Sequence, residues 1–410
     1  MKNKIAQFLS TTPLDARVYI LASFINSSGK ALMWPLITLY VSTELGRSYG
    51  EAGMVLLLQA FFGIIGEIVG GALYYKVGPR QLIFSSTLLS GIAIFSVIFV
   101  DNWYVYIGLM CMMGFVNGIT MPGVNAYIGF RWASYRKSLF NTIYVFNNLG
   151  LAFGAAVGGV LASISFDLTY SVTGVITILF AFFLSSFMKE DVTVRTSDLS
   201  KVKYDSSLTL LKDYKVYLFL AIGAVFYWIT FNFWGTGAGP YLVELGYDIS
   251  LYSLLWTING FVILFGQPLL VFLKNTIAKS ITRQIVLSSV FCFIGYFFLF
   301  HFNENYSYFI VAMVICTLGE MLLLPAIPLF FSEYTGEKAP FYMGLAGSFS
   351  NAGRMVGPLI IGNLLDGWGI SLTMLFIIVC SVVSIAFFVI HLYVFKPKEH
   401  MHVDLVMDEK

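Results

Sequence analysis

Residues 80–86 read Arg80-Gln81-Leu82-Ile83-Phe84-Ser85-Ser86, and 203 positions later the chain reads Arg283-Gln284-Ile285-Val286-Leu287-Ser288-Ser289. The same offset carries Gly63 onto Gly266, Pro122 onto Pro325, and Asn148, Gly150 and Gly154 onto Asn351, Gly353 and Gly357. Glu44-Leu45-Gly46 meets Glu244-Leu245-Gly246 at an offset of 200, so the first half holds about three extra residues between these points. Apolar helices resemble one another by chance, but a constant offset held over several of them marks an internal duplication.

Composition says what is duplicated. The 410 residues are 58% hydrophobic and 17% aromatic but only 11% charged, with a mean hydropathy of +0.82. Soluble domains carry roughly 25% charged residues, so a soluble enzyme, a nucleic-acid binder and a disordered scaffold are excluded. A net charge of +2 gives no case for an acidic partner. The four cysteines (Cys111, Cys292, Cys316, Cys380) sit in apolar runs without a CxxC pair and read as small core residues.

A bilayer-crossing helix needs roughly 20 mainly apolar residues. Twelve stretches qualify: 16–44, 51–75, 81–100, 104–130, 138–162, 168–188, 215–242, 250–273, 282–302, 306–331, 340–365 and 370–394. Pro35 predicts a bend in the first. Residues 1–17 are polar and the first apolar run is too long for a signal-peptide core, so no cleaved signal is expected. With both termini cytoplasmic, Arg47 alone of the 24 Lys and Arg falls in an outer loop, and only Lys30 and Arg354 fall within spans. The excess of bases in the remaining loops then obeys the positive-inside rule. Dense charge of both signs at 189–214 divides six spans from six. The expected organisation is an all-α membrane protein: bundles over 1–188 and 215–395, a cytoplasmic linker at 189–214 and a cytoplasmic tail at 396–410.

Two six-helix repeats about a charged linker resemble the major facilitator superfamily over nearly the whole chain. The family's pattern between spans two and three appears as Gly71, Lys76, Gly78 and Arg80, with Tyr75 in place of its acid and Gln81 in place of its last base. In span five, Gly150, Gly154, Ala155, Gly158 and Gly159 are similar to the glycine-rich pattern of the drug-exporting branch, with Ala155 where that pattern has proline. Span eleven holds a fuller copy in Gly353, Gly357 and Pro358. Helices without side chains at a contact approach closely and slide, so these glycines serve packing or gating. Span four departs: Met110 stands near the place of the branch's buried arginine, about eleven residues before Met121-Pro122-Gly123. Span ten, Thr317-Leu318-Gly319-Glu320 followed by Pro325, is similar to a Gly-Glu span of the lactococcal multidrug/proton antiporter.

An ionisable group at mid-bilayer costs at least about 2.5–3.5 kcal/mol. Of the 22 acids two lie deep in spans, Glu67 and Glu320, and the deep bases are Lys30 and Arg354. The resemblance implies that spans one, four, seven and ten line a central cavity. Glu320 and Lys30 would then both reach it, with Asn117 at the position in span four that answers Glu320. Glu320 is the first candidate for proton coupling, with Glu67 in support; the alternative is a structural Glu320–Lys30 salt bridge. A fixed cation at Lys30 would favour an anionic or zwitterionic substrate unless Glu320 neutralises it. The resemblance also sets spans two and eleven face to face, so Glu67 and Arg354 either gate the two halves or are satisfied each within its own bundle. Trp34 with Phe226, Tyr227, Phe231 and Trp234 forms either a stacking wall for a flat substrate or ordinary packing.

The tail pair His400 and His402 lacks a third ligand, and no phosphate loop, nucleophile elbow or metal motif is present. No enzyme activity, metal or cofactor is therefore expected, and an ion gradient is the expected energy source. The expected function is proton-coupled export of lipophilic small molecules by alternating access from a multi-pass position in the cell membrane. The partners are a small-molecule substrate, protons and membrane lipid, with no nucleic acid, and the chain is expected to act as a monomer. A transporter of one polar or anionic metabolite and a lipid flippase are the alternatives.

Overall fold

The structure, a computed structural model, describes residues 13–132, 136–188, 215–334 and 339–395. The expected linker 189–214 and tail 396–410, with His400 and His402, lie outside the described residues, as does the side chain of Lys76.

The first apolar run folds as α1 (Leu14–Ala31), a 3-10 turn (Trp34–Leu36) and α2 (Ile37–Thr43). Pro35 lacks the N–H that an uninterrupted helix would need, and the break falls on it. Next come α3 (Tyr49–Val77) and α4 (Pro79–Ser96), hinged at Gly78, whose φ of +87° suits glycine and strains any side chain. Asn102 caps α5 (Trp103–Arg131); α6 (Arg136–Ile164) follows, and Ser165 caps α7 (Phe166–Phe187).

The second half opens with α8 (Lys215–Phe231) and the short α9 (Phe233–Thr236) and α10 (Ala238–Glu244). Helix α11 (Ile249–Phe265) bends by 59° into α12 (Gln267–Thr276), and α13 (Ile281–His301) and α14 (Tyr306–Tyr334) follow. Pro268 removes one N–H just after the bend at Gly266.

The last element, α15 (Ala339–Val394), has 56 residues. Straight, it would reach about 84 Å, roughly twice a bilayer with its headgroups. Its helical backbone is broken at Gly369 (φ 71°, ψ −173°), between the expected spans 340–365 and 370–394, so it has two arms. Nine described helices are long and apolar enough to cross a membrane, or ten if α11 and α12 are one bent span. No strand occurs among the described residues.

Helices pack mainly against others of their own half, and two seams join the halves: α3 against the first arm of α15, and α6 against α11. Small residues make both seams close. A Cβ on Gly53 would strike the Pro358 carbonyl and one on Gly362 the Tyr49 carbonyl; at the other seam Gly159 abuts Ser253 and Gly260 abuts Ala152. The polar contacts across the seams cluster at the end expected to face outward. Asp366 accepts from the backbone N–H groups of Tyr49 (2.9 Å) and Gly50 (2.5 Å), Tyr49 Oη donates to Glu244 (3.2 Å), and Ser163 Oγ donates to Asp248 (3.0 Å). Deeper, Thr257 Oγ1 donates to the Ala152 carbonyl at 3.0 Å, and the Tyr252 hydroxyl lies 2.9 Å from the carbonyls of both Pro35 and Trp234.

Within each half a second set of glycines works in parallel. Gly150 and Gly154 press against the α1 backbone at Phe24 and Ser28, while Gly353 presses against α8 at Val225 and Gly357 against the Asn232 side chain just past its end. The equivalent positions of the sequence repeat thus bring equivalent helices together.

Candidate functional site

Between the halves lies a cavity of about 670 Å³, within the usual range of about 300–1,000 Å³ for a drug-sized site. Its wall is mostly apolar, with polar groups at intervals. Trp34 and Thr38 come from the first span, Gln59, Gly63 and Glu67 from α3, Asn117 from α5 and Asn148 from α6. The second half supplies Phe231 and Asn232, Trp256 and Asn259 of α11, Glu320 of α14, and Asn351 and Arg354 of α15. Toward the other end α6 and α11 part, and a second cavity of about 530 Å³ opens between Tyr144 and Asn148 on one side and Ile263, Gln267 and Lys274 on the other.

The four deep charges do not pair as ion pairs. Asn259 Nδ2 donates to Glu320 Oε2 at 3.0 Å and to Thr317 Oγ1 at 2.9 Å, so one amide fixes one side of the carboxylate. The other oxygen, Oε1, accepts no hydrogen bond among the described residues. Arg354 lays its guanidinium over the Trp228 ring, 3.6 Å from the centroid. Glu67 is exposed on the cavity wall with no ion pair among the described residues. It shares the cavity with Arg354 without touching it.

Lys30 makes no ion pair with Glu320. Its Nζ donates to Asn117 Oδ1 at 3.4 Å, an oxygen that also accepts from Ser90 at 3.4 Å. Asn117 lines the cavity and Lys30 stands behind it.

The expected aromatic wall is divided. Trp34, 52% exposed, and Phe231 line the cavity, and Trp34 meets Trp256 edge to face at 5.0 Å. Tyr227 and Trp234 are buried in the core, and Phe226 stacks on Phe387. Pro358 lines the cavity, while Gly150, Gly154 and Gly357 lie at helix contacts. Gly71 lies within α3, Gly78 forms the hinge after it, and Arg80 Nε donates to the Ser185 carbonyl at 2.8 Å.

Of the cavity's amides, sequence reasoning singled out Asn117 alone as a cavity residue. Gln59, Asn117, Asn148, Asn232, Asn259 and Asn351 all line it. Asn148 and Asn351 were visible as one repeat match, and Gln59 and Asn259 sit 200 positions apart, the offset of the repeat's first turn. That offset is the signal that would have found them.

The sequence matches the Major Facilitator Superfamily over residues 19–349 and 283–406. The chain belongs to that superfamily. Among its relatives, the uncharacterised MFS-type transporter YttB of Bacillus subtilis (strain 168) is 34% identical over 375 residues, covering 91% of this chain and 94% of YttB. The quinolone resistance protein NorA of Staphylococcus aureus (strain COL) is 24% identical over 347 residues, or 84% and 88% of the two chains. The fold is shared with a mutant form of the nucleoside transporter NupG, at a TM-score of 0.78 and 11% identity over 93% of this chain and 100% of that one. A bacterial homologue of the human lysosomal transporter Spinster, solved inward-facing and unoccupied, matches at a TM-score of 0.75 and 12% identity over 94% and 100%. This superfamily member is a transporter that passes several times through the cell membrane.

Proposed function

We propose that the protein is a proton-coupled secondary transporter that exports lipophilic small molecules by alternating access, with Glu320 carrying the proton. One observation carries the reading. Glu320 is a deep acid on the cavity wall, held on one side by the Asn259 amide and left without a partner on the other among the described residues. Gaining or losing a proton there changes the charge of the wall a substrate would touch, and an intramembrane acid facing a cavity is a functional group by default. The likeness to NorA supports export of drug-like compounds.

The two halves act as the moving bodies, with 1–188 and 215–395 as their limits. The glycine contacts of both seams let them rock. With the basic loops inside, the end latched by Asp366 and Asp248 faces outward and the parted end opens to the cytoplasm. Glu67 reaches the same cavity and assists the proton step. Six amides on the wall favour a second reading, a narrower transporter for a polar metabolite.

Purified protein in liposomes, loaded with a lipophilic dye and given a proton gradient, tests the reading. Dye flux should follow the gradient and stop when a protonophore collapses it. Flux that ignores the gradient, or lipid scrambling in its place, would overturn it.

A further inference from the structure

Arg354 has no part in the proposed proton step, yet a cation this deep in a membrane is costly and is retained for binding or pairing. Here it is not paired. Among the described residues no carboxylate forms an ion pair with it, and no side chain or carbonyl accepts a hydrogen bond from its five N–H donors. Glu320 lies within electrostatic reach but makes no ion pair with it. The only contact described for the guanidinium is on its face, over Trp228, which leaves the rim free.

That placement is built by the surrounding helices. Gly353, next in the chain, lets α15 press against α8 at Val225 and Trp228. Asn232 Nδ2 then ties the two helices by donating to the Trp228 carbonyl at 2.7 Å and the Gly353 carbonyl at 3.3 Å. The stack is thus fixed from behind, and Arg354 is exposed on the cavity wall. The repeat-related position in the first half is Leu151, so the wall has one such pole.

We propose that Arg354 is the oxyanion anchor of the cavity, and that the transported substrate is a flat aromatic molecule bearing a carboxylate. A guanidinium rim matches a carboxylate with two parallel N–H···O bonds, which a point charge cannot do. Trp34, edge to face with Trp256, and Phe231 supply the apolar surface for the ring. The inference rests on the cavity being the substrate site, and it narrows the lipophilic substrates proposed above to those with an acid group.

Equilibrium dialysis of the purified full-length protein with 2-naphthoate and with its neutral analogue 2-naphthamide tests it. Wild type should bind the acid at least tenfold more tightly than the amide. Arg354→Gln should bring the two within about twofold, and Arg354→Lys, which keeps the charge and loses the fork, should fall between. Ala60→Phe, which fills the cavity, should weaken both ligands in wild-type and Arg354→Gln backgrounds alike. Failure of wild type to bind or to prefer the acid, or a preference that survives Arg354→Gln, overturns the anchor. If both ligands bind and Ala60→Phe changes neither, the cavity itself is not the substrate site and the wider reading falls with it. The wild-type preference is read without any variant, so a misfolded substitution does not protect the proposal.

Discussion

The two halves of the protein are best compared position by position, because the repeat pairs them. Asn117 in the first half answers Glu320 in the second, Leu151 answers Arg354, and Trp34 answers Trp234 at the 200 offset. In the cavity, then, the second half received the acid and base that the first lacks at those positions. At the outer end the pattern is different. Ser48 caps α3 and Asp366 accepts from the same helix end across the seam; at the other seam Asp248 caps α11 and Ser163 reaches it across. Ser48 answers Asp248 and Ser163 answers Asp366, so hydroxyl and carboxylate have changed places. At each seam a carboxylate that takes part in the cross-seam contact sits at a helix N-terminus, where free N–H groups and the helix dipole favour it. Duplication set the frame; divergence distributed the charge.

The largest effect should come from the tryptophan pair. Trp234 is fully buried and Trp34 is 52% exposed. Trp234→Ala should cost about 3–5 kcal/mol, read as a large drop in melting temperature in detergent. Trp34→Ala should leave melting nearly unchanged while weakening dye binding. Equal losses of stability would show that the two positions are not used differently.

Next comes the latch on α3. Asp366→Ser places a hydroxyl on both sides of that seam and removes the carboxylate from the Tyr49 and Gly50 amides. The loss of a cap of this kind is about 0.5–1 kcal/mol at an exposed site. Spin labels on the outer ends of α3 and α15 should show the separated population rise about two- to fivefold. An unchanged distance distribution would mean the contact holds nothing.

Asp248→Ser should do less, a few tenths of a kcal/mol, because serine is itself a good cap. Its pH dependence is the smallest effect. Hydrogen bonds from Ser250 and Ser163 hold the Asp248 carboxyl below the usual aspartate range. A depressed pKa in the folded state contributes stability above the ordinary value near about 4 and loses it as pH falls below. The α6–α11 distance at this end should therefore stay constant from neutral pH to about pH 4 and widen only in stronger acid.

Much of this frame was legible in the chain. The constant offset gave the halves, Pro35 the broken first span, and scarcity of charge pointed to Glu67, Glu320 and Arg354, which all reach one cavity. Side-chain direction was not legible in the same way. Span seven is apolar on every face, so periodicity does not tell which of its aromatics meets the cavity: Phe231 does, while Tyr227 and Trp234 pack inward. Lys30 and Glu320 looked like partners by sign alone, but it is the Asn117 oxygen that accepts the lysine's hydrogen bond. Apart from Asn117, found through its repeat match to Glu320, the amide lining escaped notice because an asparagine carries no pattern until helices from both halves stand around one space.

Proton coupling, as proposed, turns on Glu320. In liposomes, Glu320→Gln should abolish transport driven by an imposed proton gradient, a loss of at least about tenfold, or about 1.4 kcal/mol. It should leave substrate exchange without a gradient largely intact, since the glutamine still accepts from Asn259 and fills the same place. Gradient-driven transport that persists in Glu320→Gln at the wild-type rate would show that Glu320 does not carry the proton.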